Sequence, residues 1–397
     1  MSDTVTTTPA TRSPFAGAVE QVRAVAGKHA EQTDEKAEFP LAALGKLREQ
    51  KLLGLLVPAG YGGLGGTVDD MIDAGIALGR ADMSVAMIFT MHCQQVAALV
   101  RHAGPGLAGA LLPRIAAEQL YLASVTTEAG KGGHLLSATS RLTAEPGWLD
   151  IDRTAPIVTG GLHADGFLIT MRSPDAESDS SVSLVYADRD QLTVTPSGDW
   201  NPLGMRASHS TALHLTGRVP DHQVVGEHGA FRAIVLDTFG PLAHLGWSAS
   251  WLGTATGALS RVLRTLRSPA GRKSADLESE LLLTRLSRAR QRLDTVHALL
   301  RHTAAAVRAA DGGDALTRPS CQLLLNALKI TASEECHRAV EDLVDAVGLR
   351  HGYLKDSPTG LERALRDLRS APLNYSNDRL HLADGSLALL DPGVSYA

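Results

Sequence analysis

The sequence predicts an α+β fold that is mainly helical, with one β unit set between two helical zones. The spacing of apolar residues carries this. They recur at helical intervals from about Ala16 to Ala117, alternate between about Tyr121 and Val225, and return to helical intervals from Phe231 onward. The clusters "SPDAESDSS", "PSGDWNPLG" and "VPDH" separate the alternating runs, as turns separate strands. A chain of 397 residues exceeds one simple core. It divides into a disordered lead-in over 1–14, a helical domain over 15–119, a β domain over 120–226 and a helical bundle over 227–397.

In the first zone Leu41, Leu44, Leu47 and Leu52 mark a helical stretch that stops at "VPAGYGGLGG". The glycines and proline between Pro58 and Gly66 make that break a loop. Apolar helices should follow from Thr67 to Arg80 and from Met83 to His102. In the middle zone Tyr121 to Thr127 is a run of strand formers, and "SVSLVYA" sets Val182, Leu184 and Tyr186 on one face. "QLTVTPS" and "TALHLTGRVP" keep the same period, and the zone has room for a barrel or sandwich of about seven strands.

In the last zone Leu282, Leu286, Ala289, Leu293, Val296 and Leu300 step along one helix face, while Arg285, Arg288, Arg290 and Arg292 take the others. Ser320 to Val347 is a second bundle helix, with Leu325, Leu328, Ala332, Ala339 and Leu343 inward. "ADGGDALTRPS" connects the two. A ligand site is expected where the β unit meets the bundle.

Composition limits the function classes. Apolar residues at 44% and charged residues at 20% describe a globular chain. A net charge of −5 with both signs interspersed leaves no polybasic face for nucleic acid. Cys93, Cys321 and Cys336 are odd in number and form no CxxC pair, which points to a reducing cytoplasm and away from a disulfide framework or metal site. "MSDTVTTTPATRSP" lacks a signal peptide's basic and apolar regions, and no uncharged apolar run reaches the ~18 residues that span a bilayer.

The stretch "ASVTTEAGKGGHLLSA" combines a strand end with a glycine loop. No GK[ST] follows it, so it is not a P-loop. Read with "FPLAALGKLREQKLLGLLVPAGYGGLGG", "PIVTGGLHAD", "LGMRASHSTALHLTGRVP" and "LERALRDLRS", it resembles the acyl-CoA dehydrogenase superfamily of flavoproteins from about Phe39 to Leu380. The resemblance implies an N-terminal helical domain, a central β-barrel and a C-terminal four-helix bundle. It implies FAD with its ring between barrel and bundle, in a homodimer or homotetramer whose neighbouring subunit completes the cofactor site.

By the same resemblance, Thr126 and Thr127 match positions that reach the flavin pyrimidine and N5, where a donor stabilises charge on the reduced ring. Thr159 matches a threonine near N5, and Ile157 stands where many members stack a tryptophan. Gly132 and Gly133 match the Gly-Ser that approaches the pyrophosphate or the substrate pantetheine. Around them Ala129 replaces a proline, Lys131 an alanine and His134 an aspartate. Arg206 is expected to close the barrel turn, and Arg267 corresponds to an arginine that reaches the neighbouring subunit's diphosphate. "DAVGLRHGY" resembles the adenine-side loop, and Asn377 aligns with a threonine that touches the cofactor.

The family's base is missing. Most members remove the substrate α proton with a glutamate where this chain has Tyr375. A minority place one ten residues before an LG pair, where counting back from Gly253 gives Ala243, next to His244. The base candidates are then Asp378, Tyr375 and His244, with Glu128 expected to order its own loop. Oxidation of an acyl thioester, on CoA or a carrier protein, is one reading, with an electron-transfer partner or O2 taking the electrons. A flavin monooxygenase, which needs no α-proton abstraction, is the second; His134, His163 and His244 would then act on the oxygenated cofactor. A flavin-binding partner subunit without chemistry is the third.

Overall fold

The computed structural model describes residues 13–130, 134–310, 314–391 and 393. Most of the expected lead-in, together with Gly132 and Gly133, lies outside the described residues. The first helices are α1 (Ala16–Lys36), α2 (Leu41–Glu49), α3 (Val68–Gly79), α4 (Met83–His102) and α5 (Pro105–Glu118). A capping box starts α3: Asp70 N donates to Thr67 Oγ1 at 3.2 Å, and Thr67 N donates to Asp70 Oδ2 at 2.8 Å. Asp82 caps α4 by accepting from Val85 N at 3.0 Å. By length and composition α4 is the one helix among the described residues able to cross a membrane. Its apolar window is 89% buried inside the protein, which makes it a core helix.

The β domain consists of β1 (Leu122–Val125), β2 (Thr143–Glu145), β3 (Trp148–Ala155), β4 (Gly166–Arg172), β5 (Val182–Asp188), β6 (Leu192–Pro196), β7 (Leu213–Pro220) and β8 (Val224–Val225). They form two four-stranded sheets, ordered β1-β4-β5-β8 and β2-β3-β7-β6. The expected barrel is thus open. Its would-be seam is a single isolated bridge between Arg141 and Arg172. The strand that follows, β2, is three residues long and exposed throughout, so it carries no ladder across the gap. Alternation in "SVSLVYA" predicts one buried face, yet Ser183 is also buried. Its hydroxyl is satisfied by Ser173 Oγ at 2.8 Å and His228 Nδ1 at 3.0 Å, which lets β5 be covered on both sides.

After the strands come α6 (Phe231–Ile234), a π-type turn over Val235–Phe239, and α7 (Gly240–Arg267). Then follow α8 (Pro269–Ser274), α9 (Glu280–Ala309), α10 (Pro319–Gly352), α11 (Leu361–Leu368) and α12 (Asn377–Ala388). Helices α7, α9 and α10 pack on one another, and α11 and α12 pack on α10. The inward positions expected on α9 and α10 are buried, except Leu286, which is half-buried. The N-terminal domain locks onto this bundle where α3 crosses α7. A Cβ on Gly253 would lie 2.4 Å from Ile76 O, and one on Gly79 2.5 Å from Ser250 O, so only glycine permits the approach.

Candidate active site

The first group of expected site residues sits where strands end. β1 stops at Val125, so Thr126 and Thr127 lie past the last pair of its ladder with β4. Thr127 Oγ1 donates to Ile157 O at 2.8 Å and accepts from Ile157 N at 3.2 Å. That pair of bonds ties the chain after β1 to the chain after β3. It also holds the Ile157 side chain outward, 50% exposed. Thr126 is half-buried and its hydroxyl has no hydrogen-bond partner among the described residues. Thr159 Oγ1 bonds Ser210 Oγ at 2.9 Å, and its carbonyl accepts from Tyr121 Oη at 3.0 Å.

Beneath this group lies a buried ion pair. Glu128 pairs with Arg153, whose side chain is 1% exposed. Thr139 N and Ser140 N donate to the Glu128 carboxylate at 2.8 and 2.9 Å. Burial pushes the Glu128 carboxyl up, but the donors of Thr139 and Ser140 outweigh it and hold the group at about 2. Arg153 Nη2 also donates to Thr127 O at 3.0 Å. Glu128 is therefore tied to Thr139 and Ser140 and, through Arg153, to the threonine before it.

A second group lies in the bundle. Lys329 of α10 is fully buried. Its ammonium donates to Tyr375 O at 3.0 Å and Asn377 Oδ1 at 2.7 Å, and it lies 5.8 Å from the Trp251 ring centre. Asn377 Nδ2 donates to Ser333 Oγ at 3.1 Å and Glu334 Oε1 at 3.2 Å. Burial lowers the Lys329 amine to about 7, with Glu334 opposing. His244 of α7 bonds Leu325 O through Nδ1 at 3.1 Å. Burial, then the Lys329 charge, lower its imidazole to about 4, so it is neutral at pH 7. Tyr375, at one place where the resemblance puts a carboxylate, thus bonds Lys329 through its carbonyl, and His244, next to the other place, feels the same lysine's charge.

Other expected site residues lie apart. Asp378 is exposed in the first turn of α12, with no ion-pair partner among the described residues. Arg267 is exposed at the end of α7, and His134 is exposed beside the glycine loop. His163 stacks on Phe39 at 4.4 Å. Arg206 donates to Asp34 O at 2.7 Å and Pro202 O at 3.0 Å, tying its turn to α1. An open cleft of about 1350 Å³ lies between α1, α3, α7 and α9 and includes none of the expected site residues. Chemistry assigned by residue type and cavity size therefore point to different places. The residue chemistry is the better guide here, because the cavity is an open cleft whose walls carry mixed charges, several of them paired.

Lys329 escaped the sequence reading. Its signal was present: it falls four residues after Leu325 and three before Ala332, both inward positions, so a lysine there had to be buried.

A flavin ring needs an apolar face and donors along its polar edge. The strand-end group fits: Ile157 offers exposed apolar surface, and Thr126, next in sequence to the threonine that clamps Ile157, offers a hydroxyl with no partner among the described residues. The buried indole Nε1 of Trp247 and Trp251 and the Ser248 hydroxyl, all on α7, also lack partners among the described residues.

Comparison with known proteins agrees with this geometry. Residues 16–119 match the model for the acyl-CoA dehydrogenase N-terminal domain, and 245–373 that for the acyl-CoA dehydrogenase C-terminal domain. A probable acyl-CoA dehydrogenase, FadE25 of Mycobacterium tuberculosis, is 26% identical over 382 residues, covering 93% of each chain. The dibenzothiophene monooxygenase of Rhodococcus erythropolis is 25% identical, covering 90% of this chain and 86% of its own. In fold, the FMN-bound TdsC structure from Paenibacillus sp. A11-2 superposes with a TM-score of 0.84 at 21% identity, covering 96% of this chain and 99% of TdsC. The matched domains flank the β unit in the order the helical zones and strands require, and the chain belongs to the acyl-CoA dehydrogenase superfamily of flavin-dependent oxidoreductases.

Proposed function

We propose that the protein binds FAD and oxidises an acyl thioester, on CoA or a carrier protein, or a related small molecule. The observation that carries this is the Thr127–Ile157 clamp, which ties the strand end that holds Thr126 to an outward-facing Ile157. Thr126, Thr127 and Thr159 would hold the polar edge of the ring and Ile157 its face, with Gly132, Gly133, Arg267 and Asn377 toward the rest of the cofactor. Bound flavin supplies a two-electron acceptor. Asp378, His244 and Tyr375 remain the base candidates. His244 is unprotonated at neutral pH but weakly basic, and Asp378 would have to face the substrate from its exposed turn.

One observation favours the second reading, a flavin monooxygenase. Tyr375 and Ala243 leave both expected base positions without a carboxylate, and a relative of comparable identity is a dibenzothiophene monooxygenase. A homo-oligomer is supported by Leu349 and Tyr353, 71% and 70% exposed on the segment that resembles the adenine-side loop. An electron-transfer partner or O2 would reoxidise the flavin. The three free cysteines support the cytoplasm.

The test is anaerobic mixing of oxidised holoprotein with a panel of acyl-CoA and carrier-protein thioesters. Bleaching of the flavin band is expected. Absence of bleaching, together with O2-dependent oxygenation when reduced flavin is supplied, replaces the dehydrogenase with the monooxygenase. A yellow protein inert in both assays leaves a non-catalytic subunit. Asp378→Asn and His244→Ala, assayed for bleaching rate, then separate the base candidates.

A further inference from the structure

We infer that Lys329 is a positioning residue: its buried ammonium locks the Tyr375–Asn377 turn against the bundle and so fixes the wall of the site where a catalytic carboxylate is missing. Two features of the turn call for such a lock. Tyr375 holds a left-handed backbone at φ 51°, which a residue with a Cβ adopts only when its surroundings force it. Ser376, which precedes α12, makes no side-chain cap bond, so the helix start has no local anchor of the usual kind. Lys329 reaches both ends of this strained segment, through Tyr375 O and Asn377 Oδ1. Hydrogen bonds from a charged donor are about twice as strong as neutral ones, so the lock weakens when the amine loses its proton.

The surroundings keep that charge conditional. From α7, Lys329 faces His244 and the Trp251 ring, neither of which brings a negative charge. From its own helix it faces Ser333 and Glu334, and the Glu334 carboxylate is shared with Arg338 and Asn377. From the α12 side it meets the Tyr375 carbonyl and the Asn377 amide. No carboxylate forms an ion pair with Lys329 among the described residues, and burial lowers its amine to about 7. His244 is already neutral well below that pH, so it does not confound the titration.

The role in turnover rests on the flavin-oxidoreductase reading, but the lock can be tested without substrate. Hydrogen exchange with mass-spectrometric readout on the full flavin-loaded chain would compare wild type, Lys329→Met and Lys329→Gln at pH 6 and 8.5, each corrected for intrinsic exchange. In K329M, peptides covering 372–380 should exchange at least tenfold faster at pH 6 while α9 peptides stay unchanged. K329Q, which keeps an uncharged amide donor, should fall between. Wild type itself should lose protection in 372–380 once the amine loses its proton on going to pH 8.5, and K329Q against wild type at pH 6 decides the matter even if K329M does not fold. Equal protection of 372–380 in wild type and the Lys329 variants at pH 6 overturns the inference. If thioesters bleach the wild-type flavin, K329M should show a lower limiting rate at similar half-saturation. If none does, the functional reading fails while exchange still decides the lock.

Discussion

Glu128 belongs to a segment read for chemistry, yet its partners are the amides of Thr139 and Ser140 and the buried Arg153. Removing it should strand a buried guanidinium, and breaking such a pair costs about 3–5 kcal/mol. Glu128→Ala should therefore shift the urea midpoint strongly at pH 7. The pH dependence has a definite sign. The folded carboxyl, at about 2, lies below the ordinary 4.5, so its stabilisation is present above 4.5 and is lost as pH falls toward 2. The gap between wild type and E128A, measured by urea unfolding, should narrow from pH 7 to pH 3. An unchanged gap would assign the loss to packing instead of charge. At this scale the sequence marked Glu128 as a candidate to order its own segment but gave no sign of its pairing with Arg153. Lys329 stayed hidden because only the apolar members of its helix face were traced.

The helices follow their apolar periods closely: the expected spans 67–80 and 83–102 appear as Val68–Gly79 and Met83–His102. The strands follow theirs too, but alternation reports which face is buried and says nothing about whether ladders close, so it left barrel and sandwich undecided. Nor was the close crossing of α3 and α7. It depends on Gly79 and Gly253, and glycines inside helices look like weak points in a sequence until the facing backbone is known. Gly253→Ala tests it. Its Cβ would meet the Ile76 carbonyl at 2.4 Å, and overpacking of that kind costs roughly 1–3 kcal/mol. Gly109→Ala, an exposed position inside α5 where an added Cβ meets nothing within 4 Å, is the control. Urea unfolding should show a lower midpoint for G253A and an unchanged or higher one for G109A. Equal effects would mean that α3 and α7 can part without cost.

Across the whole molecule, two buried groups tune stability near neutrality from opposite sides. Burial raises the Asp367 carboxyl from 3.8 to about 7, only partly offset by Arg363 and by the Met205 amide at 2.6 Å. Its folded pKa lies above its unfolded value, so its favourable contribution is complete below 3.8 and is lost as pH rises to 7. Burial lowers the Lys329 amine from 10.5 to about 7. Its contribution is complete above 10.5 and is lost as pH falls to 7. The pair therefore contributes a stability minimum near pH 7, with each limb sloping by ~1.4 kcal/mol per pH unit. Differences between variants isolate each limb from every other titrating group. The unfolding free energy of wild type minus that of Lys329→Met should rise by about that slope between pH 7.5 and 9.5. The same difference for Asp367→Asn should fall by about that slope between pH 4.5 and 6.5. Chemical denaturation across both windows measures them. A flat Lys329 difference would mean that the amine keeps its proton throughout, and then the Tyr375–Asn377 turn would be held by a permanent charge that pH cannot release.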